Sequence, residues 1–242
     1  MTLRVIAIDG PAGAGKSTVA RAVALRVGLP YLDTGAMYRG VAFAVLRDSV
    51  DPHDHDEVSR VAESVSVLVE PTGVSVDGRD VTSDIRGPAV TAVVSVIAAY
   101  PPVRARMRAE QRAWIVNHGG GVVEGRDIGT VVFPDALLKI YLTASPQVRA
   151  ARRVAEVGGD LEDIARSISE RDRIDSSRDD SPLRPAEGSI TIDSSGRTID
   201  DVVGEIAAAY DAAARGTAAA FDAAAKGTAA AFDAAAKDTS DG

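Results

Sequence analysis

The chain has 242 residues, of which 45% are hydrophobic, and a formal net charge of −8. This size suffices for one α/β domain with a small insert, and so acidic a chain lacks the basic face that sequence-independent polynucleotide binding needs. The absence of cysteine excludes disulfides, thiolate catalysis and Cys-ligated zinc. We expect a soluble, cytoplasmic protein that does not bind membranes, because no apolar run of spanning length and no signal-peptide pattern occurs.

Residues 10–17, Gly-Pro-Ala-Gly-Ala-Gly-Lys-Ser, fit the pattern G-x-x-x-x-G-K-[ST] of a phosphate-binding loop. A β-branched apolar run, residues 3–8, precedes them, and residues 18–27 carry valines at helical spacing. In this strand–loop–helix context the loop N–H groups and the helix N-terminus face an anion. We predict that Lys16 reaches the β- and γ-phosphates of a nucleotide and that the Ser17 hydroxyl ligates Mg²⁺. The predicted nucleotide-binding residues are Gly10, Pro11, Ala12, Gly13, Ala14, Gly15, Lys16, Ser17 and Thr18.

After this loop, predicted strands alternate with predicted helices, which is typical of an α/β domain. The further core strands are expected at residues 29–33, 121–124, 138–142 and 189–193. The further helices are expected at residues 36–47, 57–63, 88–99, 102–116, 146–157, 161–174 and 199–210. Residues 64–81 instead alternate with a period of two between Gly-containing turns, which predicts an antiparallel β insert of two or three strands.

Two charged segments are candidate binding elements. Arg126 and Asp127 directly follow the strand predicted at 121–124, and ligands of open α/β folds bind at the carboxyl ends of the strands. Arg171, Asp175 and Arg178 have the spacing i, i+4, i+7, which places them on one face of a helix. Such a face either contacts solvent or binds a shared ligand, and the mixed charges at this spacing favour the ligand.

The C-terminal segment, residues 207–242, is Ala-rich and repeats with a period of 11 residues. Each repeat contains an aromatic residue, then Asp, then Arg or Lys four positions after the Asp, and alanine and such i,i+4 pairs favour a helix. We expect either a solvated extension without activity or a helix that self-associates with a second copy. Apart from that second possibility, the protein is expected to be a monomer.

Four runs of sequence together resemble the bacterial cytidylate kinases. They are residues 10–17, residues 31–39 (Tyr-Leu-Asp-Thr-Gly-Ala-Met-Tyr-Arg), residues 124–136 (Glu-Gly-Arg-Asp-Ile-Gly-Thr-Val-Val-Phe-Pro-Asp-Ala) and the spaced set between residues 171 and 183 (Arg-Asp, Asp, Arg and Ser-Pro-Leu). The resemblance covers residues 3–210, and the second and third runs are specific to that family. The segment at residues 157–160, which joins two predicted helices, is short for the family, so the lid hairpin is expected to differ in length from that of the family.

This resemblance implies an α/β three-layer P-loop fold with a five-stranded parallel sheet. It implies a kinase domain at residues 1–210, with the β insert at 64–81 binding the nucleoside monophosphate and a helical lid at 149–180. The implied reaction transfers the γ-phosphoryl group of ATP to CMP or dCMP, with Mg²⁺ bound alongside ATP. Such transfer needs positioning and charge stabilisation more than covalent help, and the residues of the phosphate loop can supply both.

The resemblance also implies roles for individual residues. Lys16, Arg126 and Arg178 are the implied catalytic residues. Arg39 would hold the acceptor phosphate together with Arg126 and Arg178, and Thr34 would lie nearby.

The rest of the acceptor nucleotide falls to five other residues under the same resemblance. Arg171 and Asp175 would contact the ribose hydroxyls, whereas Ser95, Arg104 and Asp127 would bind the cytosine. Three further arginines are either lid residues on the ATP side or ordinary surface residues, namely Arg149, Arg152 and Arg153.

Two alternative functions stay open at this point. One is another small-molecule P-loop kinase, such as a uridylate, adenylate or shikimate kinase, although the Arg126-Asp127 loop and the β insert argue against it. The other is a GTP-dependent switch, which needs an Asn/Thr-Lys-x-Asp motif to bind guanine. Asn117 is the only asparagine and is followed by His118, so that motif is absent.

Overall fold

The computed structural model of the protein describes residues 4–216, and the repeats predicted beyond residue 216 lie outside this range. Its strands are β1 (Arg4–Asp9), β2 (Tyr31–Asp33), β3 (Val67–Glu70), β4 (Gly73–Val76), β5 (Arg79–Asp80), β6 (Gly120–Gly125), β7 (Leu138–Thr143) and β8 (Ile190–Asp193). Its α-helices are α1 (Lys16–Val27), α2 (Thr34–Arg47), α3 (His55–Ser64), α4 (Pro88–Ile97), α5 (Pro101–His118), α6 (Pro146–Val157), α7 (Leu161–Ser176) and α8 (residues 199–216).

The main sheet has the five parallel strands that were predicted, and their order is β2-β6-β1-β7-β8. The first strand of the chain therefore lies in the middle, and it is buried on both faces, which explains its continuous apolar run. In the registers with the two neighbouring strands, Asp9 at its carboxyl end lies beside Gly125 and Tyr141. The loops that leave β1, β6 and β7 thus start from one edge of the sheet.

Helices cover both faces of the sheet and give the three-layer architecture. Because neighbouring side chains of a strand point to opposite faces, Val5 and Ala7 lie in one core cluster while Ile6 and Ile8 lie in the other. The first cluster includes side chains of α2, α3, α4 and α5, and the second includes side chains of α1 and α8.

The β insert is a separate three-stranded antiparallel sheet in the order β3-β4-β5, in agreement with the alternating pattern. It packs against α2, where Gly40 allows a close approach. A Cβ atom at Gly40 would lie 2.5 Å from Cγ1 of Val67, so even alanine would push β3 away from the helix. The insert is thereby attached to the helix that starts directly after β2.

Helices α6 and α7 form a hairpin joined by residues 158–160. A small apolar cluster of Ala12, Ala150 and Ile168 attaches the hairpin to the phosphate loop, defined here as residues 10–17. The prediction that Arg178 lies on the same helical face as Asp175 was wrong, since α7 ends at Ser176. Serine is a weak helix former, and two serines in succession, at residues 176 and 177, end the helix before Arg178.

Within residues 4–216, no single helix has the length and apolar composition to cross a membrane. Helices α4 and α5 meet that test only when they are counted together across a bend of 100°. Their buried apolar side chains, among them Val94 and Met107, belong to the first core cluster.

Candidate active site

The phosphate loop connects the central strand β1 to α1, whose first residue is Lys16. Gly10 has a φ of +153°, and a Cβ atom there would lie 1.9 Å from the carbonyl oxygen of Leu142, so only glycine fits. Gly13 and Gly15 also have positive φ values, of 75° and 88°. The loop therefore curls around the N-terminus of α1 as a site for anionic oxygens requires.

The Lys16 side chain is buried beneath this loop and donates from Nζ to the carbonyl oxygen of Pro11 at 2.8 Å. The pKa of Lys16 is lowered to about 7, chiefly by burial and also by the nearby charges of Arg126 and Arg171, while Glu124 acts in the opposite direction. An anion that enters this region would relieve the desolvation and the repulsion together. The lysine is therefore placed to stabilise negative charge brought by a ligand.

Glu124, near the carboxyl end of β6, is a functional candidate that the sequence analysis did not single out. Its carboxylate accepts a hydrogen bond from the hydroxyl of Tyr31 at 2.5 Å, and the nearby hydroxyl of Ser17 lowers its pKa. Burial and the charge of Asp33 raise the pKa of Glu124, whereas Lys16 lowers it. The signal was a carboxylate at the end of the strand next to β1, followed directly by glycine.

The chain leaves β6 through residues 126–132, called here the exit loop, which ends in a π-helical turn at Ile128–Val132. Thr34, predicted to lie near the acceptor phosphate, donates its hydroxyl hydrogen to the backbone oxygen of Glu124 at 2.6 Å. Its buried side chain thus holds the start of α2 against the end of β6, directly before the exit loop begins.

Arg126 and Arg178, 52 positions apart in the chain, both bind the carboxylate of Asp175. Arg126 donates from Nε at 2.8 Å, and Arg178 pairs with the other carboxylate oxygen. Burial works against ionisation of Asp175, yet the positive charges of Arg126, Arg178 and Arg171 hold its pKa below the usual value. The structure brings these predicted residues together even though Arg178 lies outside the helix.

Arg171 completes a cluster of cations around this carboxylate. The pKa of Arg171 is lowered to about 10, chiefly by burial and also by the charges of Arg126, Arg39 and Arg153, whereas Asp175 acts in the opposite direction. Its Nε atom is buried without a hydrogen-bond partner among the described residues. Cations that repel one another in this way stabilise a bound polyanion.

Arg39 extends the cationic cluster toward α4. Its Nη1 donates to the backbone oxygen of Ile85 at 2.9 Å and to the hydroxyl of Thr91 at 3.0 Å. Burial lowers the pKa of Arg39, and the charges of Arg153 and Arg86 act in the same direction. The arginine predicted to hold the acceptor phosphate is therefore oriented by two oxygen atoms and lies near other cations.

On the far side of the exit loop, Arg104 and Asp127 form an ion pair of 2.5 Å whose side chains are only 1% and 6% exposed. Arg104 also donates to the backbone oxygen of Ala98 at 3.0 Å, and its guanidinium lies 5.7 Å from the ring centre of Tyr38. Ser95, the third residue predicted to bind the base, is half-buried on α4 three residues before Ala98. Arg104 and Asp127 thus meet, and Ser95 lies in the neighbouring turn.

Two side chains of the α6–α7 hairpin hold the phosphate loop at Ala12. Asp172 accepts a hydrogen bond from the Ala12 N–H at 3.1 Å, and Arg149 donates to the Ala12 carbonyl at 3.1 Å. Arg149 and Asp172 are also paired with each other. The possibility that Arg149 is an ordinary surface residue is therefore wrong, and Asp172 joins the site without having been assigned a role.

Arg152 contacts the next part of the phosphate loop. It donates to the carbonyl of Ala14 at 3.3 Å and to the hydroxyl of Ser194 at 2.9 Å. Arg153 instead pairs with Glu156 on its own helix at 3.0 Å and is half-buried. The three arginines left open by the sequence therefore divide into two that contact the loop and one that contacts a neighbouring helical carboxylate.

The family model for cytidylate kinase matches residues 6–212. A cytidylate kinase of Pelotomaculum thermopropionicum (strain DSM 13744 / JCM 10971 / SI) is 49% identical over 220 residues, which cover 87% of this chain and 97% of that protein.

A bifunctional pantoate ligase/cytidylate kinase of Prochlorococcus marinus (strain MIT 9313) is 50% identical over 210 residues, which cover 82% of this chain and 41% of that protein. The chain thus spans about two fifths of the length of that bifunctional relative. A crystal structure of an uncharacterized protein from Eubacterium ventriosum ATCC 27560 aligns with a TM-score of 0.52 at 15% identity, covering 87% of this chain and 99% of that one, and shows a likeness of fold. The family model spans most of the chain and a relative of similar length is nearly half identical, so this protein belongs to the cytidylate kinase family.

Proposed function

We propose that this protein transfers the γ-phosphoryl group of ATP to CMP and dCMP, giving ADP and CDP or dCDP. The observation that carries the proposal is that two neighbouring side chains of the exit loop have different partners. Arg126 belongs to the cationic cluster near Lys16, whereas its neighbour Asp127 forms a buried pair with Arg104. One short loop thus offers a cation to a phosphate and a carboxylate to a base.

The cationic half suits phosphoryl transfer. In that reaction charge spreads over the oxygens of the moving group, and catalysis depends on in-line positioning and on stabilising that charge. Lys16, Arg126 and Arg178 are proposed to supply the charge, and Arg39 to hold the acceptor phosphate with Thr34 nearby. The acceptor oxygen is already anionic, so no general base is required.

The donor half is proposed to bind ATP with Mg²⁺ through the phosphate loop and Thr18. Mg²⁺ prefers oxygen ligands and keeps several waters, so a site needs few protein groups. The Ser17 hydroxyl and the Glu124 carboxylate, which lie near each other at the N-terminus of α1, fit that preference. When bound there, the ion neutralises charge on the β- and γ-phosphates.

The base half is proposed to select cytosine. An ionised carboxylate accepts hydrogen bonds and cannot donate them, so Asp127 suits the 4-amino group of cytosine and repels the O4 atom of uracil. Arg104, with Ser95 in the adjacent turn, is proposed to contact the remaining polar atoms of the ring. For the ribose hydroxyls we propose Arg171 and the lone pairs of Asp175 that its two arginines leave free.

We further propose that residues 1–210 form the kinase domain, with 64–81 as the monophosphate-binding insert and 149–180 as a lid. The contacts of Arg149, Arg152 and Asp172 with the phosphate loop support a lid that acts directly on the donor side. A monomeric state, a cytoplasmic location and the role of the C-terminal repeats stay predictions.

The test is ADP release, coupled to a spectroscopic readout, with ATP and a panel of acceptors: CMP, dCMP, UMP, AMP and shikimate. We expect kcat/KM for CMP and dCMP to exceed that for each of the other acceptors by at least about tenfold, because a base-reading carboxylate penalises a mismatched group. A higher value for UMP, AMP or shikimate would replace the proposal with another small-molecule kinase.

A further inference from the structure

Asp9 is a buried carboxylate that no step of the proposed reaction uses. It is the last residue of the central strand β1, is 3% exposed and directly precedes the phosphate loop. Its two carboxylate oxygens accept the backbone N–H groups of two successive residues, Ile128 at 2.8 Å and Gly129 at 2.7 Å. These two residues follow Asp127 in the exit loop.

The main chain of Asp9 is fixed independently of this contact. Its strand pairs with β6 on one side and β7 on the other, where Asp9 lies beside Gly125 and Tyr141. The side chain therefore ties the exit loop to a rigid strand. The exit loop itself leaves the sheet one residue after Gly125 and has no ladder partner of its own.

The charges around Asp9 make its ionised form costly. The pKa of Asp9 is raised to about 6, chiefly by burial and also by the charge of Asp127, while the hydrogen bonds from Gly129 and Ile128 and the charge of Lys16 act in the opposite direction. Tyr141 on β7 also faces this charge. A neutral amide would avoid the cost of burying a charge, but only a carboxylate offers two acceptors and no donor to the two N–H groups.

We propose that Asp9 is a positioning residue for the acceptor nucleotide. By accepting hydrogen bonds from two N–H groups of the exit loop, those that follow Asp127, it fixes Arg126 and Asp127 relative to the phosphate loop. This inference rests on the proposed roles of those two residues. Asp9 contacts neither substrate in the proposed arrangement. It joins the element that binds the donor to the element that binds the acceptor, 119 positions away in the chain.

The first experiment compares wild type with Asp9→Asn at pH 7.5. Asparagine keeps the size and one acceptor oxygen, but its amide NH₂ group opposes the second backbone N–H. We expect kcat/KM for CMP to fall by about ten- to a hundredfold, since displacement of binding groups by an ångström costs about that much. The KM for ATP should stay within about twofold, because the phosphate loop is built on β1 itself.

The matched control is Asp54→Asn. Asp54 also accepts a backbone N–H with its carboxylate, from Glu57 at 3.0 Å, but it does so at the exposed start of α3. Its kinetics should equal those of wild type. An equal loss of activity in both variants would show that the assay reports general destabilisation, and it would overturn the positioning role of Asp9.

The second experiment measures the ratio of kcat/KM for CMP between wild type and Asp9→Asn from pH 5 to pH 8. A protonated Asp9 resembles asparagine in having one acceptor and one misplaced hydrogen, so the ratio should fall toward one below about pH 6. Titration of CMP's own phosphate is common to both proteins and cancels in the ratio. A ratio that stays constant across this range, or a KM for ATP that rises as much as that for CMP, would refute the proposal.

Hydrogen exchange on wild type provides a readout that needs neither the variant nor activity. Protection factors of the Ile128 and Gly129 amides should fall between pH 7.5 and pH 5, while the Glu57 amide should not follow them. If the protein does not phosphorylate CMP, this result still tests whether Asp9 holds the exit loop. Failure of the proposed function and failure of the positioning role are therefore distinguishable. Unchanged protection at both amides would contradict the proposal even if Asp9→Asn fails to fold.

Discussion

Replacing Asp127 by asparagine keeps the volume of the side chain and removes its charge, in a place where both the base and Arg104 depend on that charge. The pair with Arg104 is 2.5 Å long and almost completely buried. Asparagine can still accept one hydrogen bond from Arg104. Its NH₂ group, however, can turn toward the O4 atom of uracil, which the carboxylate repels.

The magnitude follows from two contacts. A hydrogen bond that involves a charged group contributes about 1.5–3 kcal/mol, so losing the one to the cytosine amino group should lower the CMP-to-UMP ratio of kcat/KM by about 10- to 100-fold. Removing one charge of a buried pair costs about 3–5 kcal/mol of stability. Because Arg104 keeps its bond to Ala98 and the asparagine oxygen remains an acceptor, we expect the lower limit, about 3 kcal/mol.

The assay is kcat/KM for CMP and for UMP in wild type, Asp127→Asn and Arg126→Ala, together with urea unfolding of each. Arg126→Ala is the matched comparison. The side chain of Arg126, next to Asp127 in the chain, lies in the cationic cluster and should serve both substrates alike. The substitution should therefore lower both values without changing their ratio. An unchanged CMP-to-UMP ratio in folded Asp127→Asn would refute the idea that this carboxylate reads the base.

Three further predictions concern the phosphate loop, the tail and the buried strand end. Lys16→Ala should fold normally and lose about 3 kcal/mol or more of transition-state stabilisation, seen as a fall in kcat of at least about a hundredfold; a near-normal kcat would contradict the mechanism. Deleting residues 215–242 should leave kcat/KM within about twofold, because the buried Tyr210 and all proposed site residues are retained; a large loss in a folded truncation would show that the tail reaches the site. The pKa of Asp9 is raised from 3.8 to about 6, so the stability that its protonated form contributes is full below pH 3.8 and is lost as the pH rises through 6. Relative to Asp9→Asn, wild type should therefore lose about 2 kcal/mol of unfolding free energy between pH 4 and pH 6.5, as measured by urea titration; a difference independent of pH would contradict the buried, ionised state of Asp9.

The parts of the fold that the sequence predicted depend on short-range patterns. The phosphate loop is contiguous, and the valines around it have the spacing of one strand and one helix. The β insert was visible because its period of two needs only residues 64–81. The ends of elements were less predictable. Helix α7 ends at Ser176 because weak helix formers follow one another there, and the periodicity of apolar residues does not show this.

The parts that the sequence did not predict depend on contacts between distant segments. Asp9 reads as the polar end of an apolar strand, and only the fold brings the Ile128 and Gly129 amides to it. The contact between Asp172 and Ala12 joins residues 160 positions apart, so no local sequence pattern predicts it. The family resemblance pointed to Arg126, Asp175 and Arg178. That both arginines bind the carboxylate of Asp175 is visible only in the folded chain.

The central claim is that donor and acceptor phosphates meet between Lys16 and Arg126. Its most direct test follows the formation of CDP from ATP and CMP by ³¹P nuclear magnetic resonance in wild type, Arg126→Ala and the control Arg106→Ala. Arg106 is a solvent-accessible arginine paired with Glu110 on α5, outside the proposed site. Wild type and Arg106→Ala should form CDP and ADP in equal amounts, and Arg126→Ala should form them at a rate at least about a hundredfold lower. Formation of CDP by folded Arg126→Ala at the wild-type rate would contradict that claim.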